Sequence, residues 1–198
     1  MKPMFKKISV AALVLALAAC GSHMKPKDDG AWPERADVDG FAADGRLSVK
    51  VNEKGSYANF DWTYQNQVQT INVNTPLGNT VGQLCKDAKG VLAVDSKGKK
   101  YQAGTAEELS ERLLGYALPV QHLHLWANGY RAEGGSAQVL PDGRLQQYGW
   151  VISRTVTKEG KPRMLQLENP KLTLKLVFSD IGKADSDGGA EQCAARGG

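Results

Sequence analysis

Gly45-Arg46-Leu47-Ser48-Val49-Lys50-Val51, followed by Asn52-Glu53-Lys54-Gly55 and Tyr57-Ala58-Asn59-Phe60-Asp61-Trp62, reads as strand, turn and strand in succession. Leu47, Val49 and Val51 alternate with Arg46, Ser48 and Lys50, the period of two that a half-buried strand requires. In the last segment Ala58, Phe60 and Trp62 share one face, with Asn59 and Asp61 on the other. The same alternation returns along the chain. Ile71 and Val73 are interleaved with Asn72 and Asn74, and Val91 to Val94 is a short apolar run closed by Ser96-Lys97-Gly98. Tyr148 to Ile152 and Met164 to Leu167 follow, and Lys171 to Phe178 carries Leu172, Leu174, Leu176 and Phe178 in strict alternation. Hairpin turns between such runs predict an antiparallel sheet.

The middle of the chain changes period. Thr105-Ala106-Glu107-Glu108 is a capping box, in which the threonine hydroxyl accepts from the third backbone N–H while Glu108 reaches back. Leu109, Leu113 and Tyr116 follow at helical spacing, with Gly115 as a stop. Pro119 is suited to open a second helix at its first position, where Val120, Leu123 and Trp126 share a face and Gly129 lies beyond the end. Strands, a helical pair and strands again predict an α+β, mainly β fold: an open, curved antiparallel half-barrel capped by helices. Such a sheet encloses either a packed core or a ligand cavity, and helices over its open side are the arrangement that leaves space.

The N-terminus supplies an address. Lys2, Lys6 and Lys7 precede an apolar run from Ile8 to Leu17, too short to span a bilayer, which closes on Leu17-Ala18-Ala19-Cys20. That is the lipobox pattern of bacterial lipoproteins, in which the cysteine is acylated and becomes the first residue. Gly21 and Ser22 after it, rather than an aspartate, favour the outer membrane, facing the periplasm. The expected division is a signal peptide over 1–19, a lipidated terminus and tether over 20–35, one domain over 36–182 and a flexible tail over 183–198. The formal net charge is +4, but three lysines leave with the signal, so the mature chain stands at +1. No basic cluster survives processing, and no nucleic-acid partner is expected.

With Cys20 committed to lipid, Cys85 and Cys193 form an even pair in an oxidising compartment. A disulfide between them is open to question, because the sequence does not bring the two thiols within bonding distance. Catalytic chemistry finds no foothold. His122 and His124 are two apart, not at the i, i+4 spacing that grips a metal, and no cysteine is left to complete a zinc site. No nucleophile elbow, phosphate-cradling glycine loop or compact acidic–histidine cluster occurs, so no catalytic residue, metal or cofactor is assigned.

Thr75-Pro76-Leu77-Gly78-Asn79-Thr80 places an apolar residue in a turn between two strands. Loop tips are normally polar, because exposed leucine gains nothing from water. Either Leu77 folds back onto the core or it is held outward for a purpose.

From about Phe41 to Phe178 the chain resembles the LolB family of outer-membrane lipoprotein receptors. The resemblance is carried by Phe41 leading into Gly45-Arg46-Leu47, by Phe60-Asp61-Trp62, and by the Pro76-Leu77-Gly78 loop before a polar strand. The capped helix at Thr105, the segment from Leu118-Pro119 to Trp126-Ala127-Asn128-Gly129, and Trp150 complete it. It implies a half-barrel with an apolar cavity for the acyl chains of lipoprotein cargo, lined by Phe60, Trp62, Trp126 and Trp150. It also implies an exposed, membrane-inserting Leu77 between Pro76 and Gly78. By the same resemblance the cargo arrives from the soluble periplasmic carrier LolA and leaves into the outer-membrane bilayer, through a monomer that uses no cofactor. Cys85, Cys193 and the tail depart from the family pattern. Two rivals stand beside it: a structural or assembly-supporting outer-membrane lipoprotein with a packed core, and the carrier itself, against which the lipobox argues.

Overall fold

The computed structural model describes residues 32–52, 54–184 and 191–196. The strands are β1 (Glu34–Arg35), β2 (Phe41–Val51), β3 (Lys54–Gln65), β4 (Val68–Asn74), β5 (Thr80–Asp87), β6 (Gly90–Asp95) and β7 (Lys100–Ala103). After the helices come β8 (Arg131–Ala132), β9 (Ala137–Val139), β10 (Leu145–Gln147), β11 (Trp150–Val156), β12 (Pro162–Glu168) and β13 (Leu172–Lys183). Eleven of them form one sheet in the order β7-β6-β5-β4-β3-β2-β13-β12-β11-β10-β9, while β1 and β8 pair separately in parallel. Every pairing in the large sheet is antiparallel, and its two edges, β7 and β9, do not meet.

Helix α1 (Ala106–Leu114) lies against β6 and β7, and α2 (Leu123–Asn128) against β11 and β12. These strands stand near opposite edges of the sheet, so a sheet that brings both to one helical pair must curl. Thr105 caps α1 as expected: its Oγ1 accepts from the Glu108 N–H (3.1 Å), and Glu108 Oε2 accepts from the Gly104 N–H (3.2 Å). Gly115 ends the helix with φ +82°. Pro119 does not open α2 directly. It caps a short 3-10 turn, Val120–His122, that runs into α2, which stops at Gly129 with φ +85°.

The alternation places Phe41, Ala43, Phe60, Trp62, Leu174, Leu176 and Phe178 on the inner face, where they join Leu109, Leu123 and Trp126 of the helices in one buried cluster. Gly45 is required there. A Cβ on it would sit 2.1 Å from the Val177 carbonyl oxygen and 3.0 Å from the Phe60 ring. Its strand neighbours Phe60 and Phe178 meet edge-to-face beside it, with centroids 5.8 Å apart.

Two expected boundaries move. Trp32 was assigned to the tether, but it is buried in the main cluster and its Nε1–H donates to the Gly143 carbonyl at 3.0 Å. The domain therefore starts before residue 36. At the other end β13 continues to Lys183, and residues 191–196 are no free tail: Cys193 is buried and bonded to Cys85, with Cα atoms 5.8 Å apart.

Gln147 ties the layers together. Its Oε1 accepts from Trp126 Nε1–H and from the Ala132 N–H, both at 3.0 Å, and its Nε2 donates to the Ala132 carbonyl at 2.7 Å. A Gln147→Leu change fills the space but strands three buried polar groups. It is expected to destabilise the domain by roughly 2–4 kcal/mol, read as a lower urea midpoint with an unchanged m-value.

Candidate functional site

The four aromatic residues that the sequence nominates as a lining come together. Phe60, Trp62, Trp126 and Trp150 all belong to the buried cluster between sheet and helices. Trp62 sits at its centre, edge-on to Phe41 at 5.0 Å and stacked on Phe178 at 6.3 Å. Two polar atoms share this layer without a hydrogen-bond partner among the described residues: Nε1 of Trp62 and Oε1 of Gln69. Trp62 pairs with Ile71 and Tyr64 with Gln69, so the two are diagonal neighbours on one face of β3 and β4. Gln69 reaches the helical side as well, donating to the Val120 carbonyl at 3.0 Å.

The histidines are structural partners of this layer. His124 stacks on Tyr64 with centroids 4.3 Å apart, and His122 stacks on Tyr148 at 4.3 Å. Burial lowers both to about 4, helped by Lys86, so both are neutral near pH 7. For His124, Asp37 opposes the shift. Tyr64 donates its hydroxyl proton to Asp37, and its own acidity is suppressed first by burial and then by that carboxylate. No group of three metal-ligating side chains occurs among the described residues.

The second element lies at the rim. Leu77 is 90 % exposed at the tip of the β4–β5 hairpin, between exposed Pro76 and Gly78. The turn is closed by its own bonds: Thr75 N–H to Asn79 O (2.8 Å), Gly78 N–H to Thr75 O (2.9 Å) and Asn79 N–H to Thr75 Oγ1 (3.2 Å). Gly78 takes φ +88°, a conformation that glycine adopts without strain. Beneath the turn, Thr80 Oγ1–H donates to Asn74 Oδ1 (2.8 Å) and Asn74 Nδ2–H to Asp61 Oδ2 (2.6 Å). The backbone therefore holds the leucine outward. Its exposure, left open by the residues alone, belongs to the free tip and not to the core.

The remaining assignments fall elsewhere. Cys20, the signal and most of the tether lie outside the described residues. Cys85 and Cys193 sit on the outer face of the sheet with Val68 and Leu92, in a small cluster separate from the main one. Sequence reasoning did not single out Gln69, Gln147 or Trp32. A polar residue at an inner-face position of a strand is the one signal that would have flagged the two glutamines.

A family model described as outer membrane lipoprotein LolB matches residues 39–180. The outer-membrane lipoprotein LolB of Neisseria meningitidis serogroup A is 51% identical over 186 residues, covering 94% of this chain and 96% of that protein. The protein of the same name from Chromobacterium violaceum is 33% identical, covering 88% of this chain and 97% of its own. Among solved structures, a LolA superfamily protein from Nitrosomonas europaea superposes with a TM-score of 0.46 at 10% identity, covering 76% of this chain and 89% of that one.

Proposed function

Because the chain belongs to the LolB family of outer membrane lipoproteins, we propose that it is a lipid-anchored receptor facing the periplasm. In this reading it accepts lipoproteins from the carrier LolA, shelters their acyl chains between sheet and helices, and inserts them into the outer membrane. Cys20 carries the anchoring lipid. The observation that supports the reading best is the aromatic layer itself. Phe60, Trp62, Trp126 and Trp150 are buried together under two short helices at the open side of a curled sheet.

The energetics are consistent with this task. Each methylene moved from water into such a layer gains about 0.8 kcal/mol, so an acyl chain needs no charged contact to bind. A buried tryptophan N–H without a partner is a donor that a cargo carbonyl would satisfy. Handover without an energy source requires the receiver to bind more tightly than the donor, by about 1.4 kcal/mol for each tenfold bias.

A long-chain fatty acid or lipopeptide is therefore expected to shift the tryptophan emission and raise the melting temperature. Ligand at a hundred times its Kd would add about 2.7 kcal/mol. Trp32 lies in the same cluster, so its contribution is part of the signal. Saturating ligand that leaves emission and melting temperature unchanged would favour a structural lipoprotein with a packed core.

A further inference from the structure

Consecutive antiparallel hairpins send alternate turns to opposite ends of a sheet, so the β2–β3, β4–β5 and β6–β7 turns here share one rim. Leu77 occupies the central turn. Beside it stand two further exposed apolar side chains. Tyr57, 77 % exposed, lies on the outer face of β3, two residues outward of the Asn59–Asn74 pair that ends the β3–β4 ladder. Val81 is the extra residue of a bulge in β5, between the Val73–Gly82 and Asn74–Thr80 pairs. Three of the large apolar residues on the surface thus surround one hairpin.

The flanking turns add charge. Lys54 opens β3, and Lys97 and Lys99 are exposed in the turn between β6 and β7. The acid of that turn, Asp95, closes it: Oδ1 accepts from the Lys97 N–H (2.9 Å) and the Lys99 N–H (3.0 Å) and Oδ2 from the Tyr101 hydroxyl (3.1 Å), while the Lys99 ammonium lies 5.0 Å from the Tyr101 ring centroid. The lysine side chains therefore leave a backbone pinned by a carboxylate that closes the turn. Glu53 precedes Lys54 in the sequence and lies outside the described residues. At the opposite end the turns mix signs, with Asp142 bonded to Arg144 and Glu159 between Lys158 and Lys161.

We propose that this rim is a docking face for an anionic lipid bilayer. Leu77 enters the apolar edge, Tyr57 and Val81 form its shoulders at headgroup level, and Lys54, Lys97 and Lys99 contact lipid phosphates. A tyrosine and lysines ringing an apolar tip are the residue types that settle at a membrane interface. The proposal rests on the membrane-facing reading of Leu77 and extends it to a surface that sets orientation, which one leucine does not.

The test uses the full mature chain with Cys20→Ala, so that the anchor does not mask the rim. Flotation compares vesicles of phosphatidylethanolamine alone with vesicles that also contain phosphatidylglycerol. Binding is expected to require the anionic lipid and to weaken with salt. The triple variant Lys54→Glu, Lys97→Glu, Lys99→Glu should lower it by roughly tenfold or more, and Tyr57→Ser several-fold at an unchanged melting temperature. If these variants bind as the parent does while Leu77→Glu does not, the docking face is wrong and the leucine reading survives. If Leu77→Glu also binds normally, both fall. If the lysine variants float normally but receive cargo slowly from the carrier, the rim is a protein interface and the proposal is overturned.

Discussion

Replacing Cys85 and Cys193 together with serine is expected to lower the unfolding free energy by roughly 3–5 kcal/mol, because their bond closes a loop of about a hundred residues in the unfolded chain. The sequence separation is 108, which places both helices and every strand from β6 to β13 inside the loop. The native state loses packing too. Val68 and Leu92 on the outer face are covered by Cys193, the middle of a strap formed by residues 191–196. Asp87 fastens the same strap: its Oδ2 accepts from the Cys193 N–H (2.8 Å) and from Arg196 Nε–H (2.7 Å), and its Oδ1 from the Lys89 N–H (2.9 Å).

Burial alone would raise the Asp87 carboxyl. The hydrogen bonds from Arg196 and from the Cys193 and Lys89 backbones hold it below the ordinary aspartate range. A carboxyl whose pKa is lower folded than unfolded contributes stability above its unfolded pKa and loses it as pH falls through the folded value. In the serine variant, where the strap relies more on those bonds, it should therefore loosen first in acid. Denaturant titration of the oxidised protein, the serine variant and the reduced protein measures the effect. Coincident midpoints would show that the cross-link contributes nothing. Since Cys85 lies on the outer face, away from Trp62 and Trp126, the variant should still bind acyl ligand wherever it remains folded.

The parts of this molecule that were legible from sequence are those whose cause is local. Leu172, Leu174, Leu176 and Phe178 announce an inner face because the side-chain period of a strand is two. Thr105 and Glu108 announce a helix start because the capping bonds span three residues. The parts that were not legible depend on partners far along the chain. Gln147 looks like a surface glutamine until Trp126 and Ala132 converge on it. Trp32 sits among Gly30, Pro33 and charged residues, a composition that reads as linker, yet the Gly143 carbonyl and the main cluster claim it. The Cys85–Cys193 bond could be raised but not decided, since nothing within either segment encodes their approach. Pro119 caps the 3-10 turn that precedes α2 instead of opening α2, because a proline suits the start of a 3-10 turn as well as that of an α-helix. Leu77 is the instructive case. Pro-Leu-Gly is compatible with a leucine turned in or out. Asn74, Thr75 and Asn79, whose bonds close the turn beneath it, hold it out.

The effect of Leu77→Glu should be large on one function and nearly absent on everything else. The side chain is 90 % exposed, so its replacement removes no core contact, and stability should change by no more than about 0.5 kcal/mol. Binding of acyl ligand should be retained, because the aromatic layer lies within the domain and the leucine outside it. Membrane entry is another matter. A leucine that buries fully in the apolar edge of a bilayer gains roughly 1.5–3 kcal/mol. A glutamate at the same tip forfeits that gain and adds the cost of dehydrating a charge. At about 1.4 kcal/mol per tenfold, the loss corresponds to insertion slowed by at least one order of magnitude. The lipid expected on Cys20 keeps the variant on the membrane, so the defect cannot be one of address. Cargo should be accepted from the carrier and then accumulate on the receptor instead of entering outer-membrane vesicles. Leu77→Ala should fall between the two, since it removes apolar area without adding charge. Insertion at the parental rate by the glutamate variant would detach the loop from the release step. A melting temperature lowered as far as by a core leucine truncation would mean that Leu77 supports the fold.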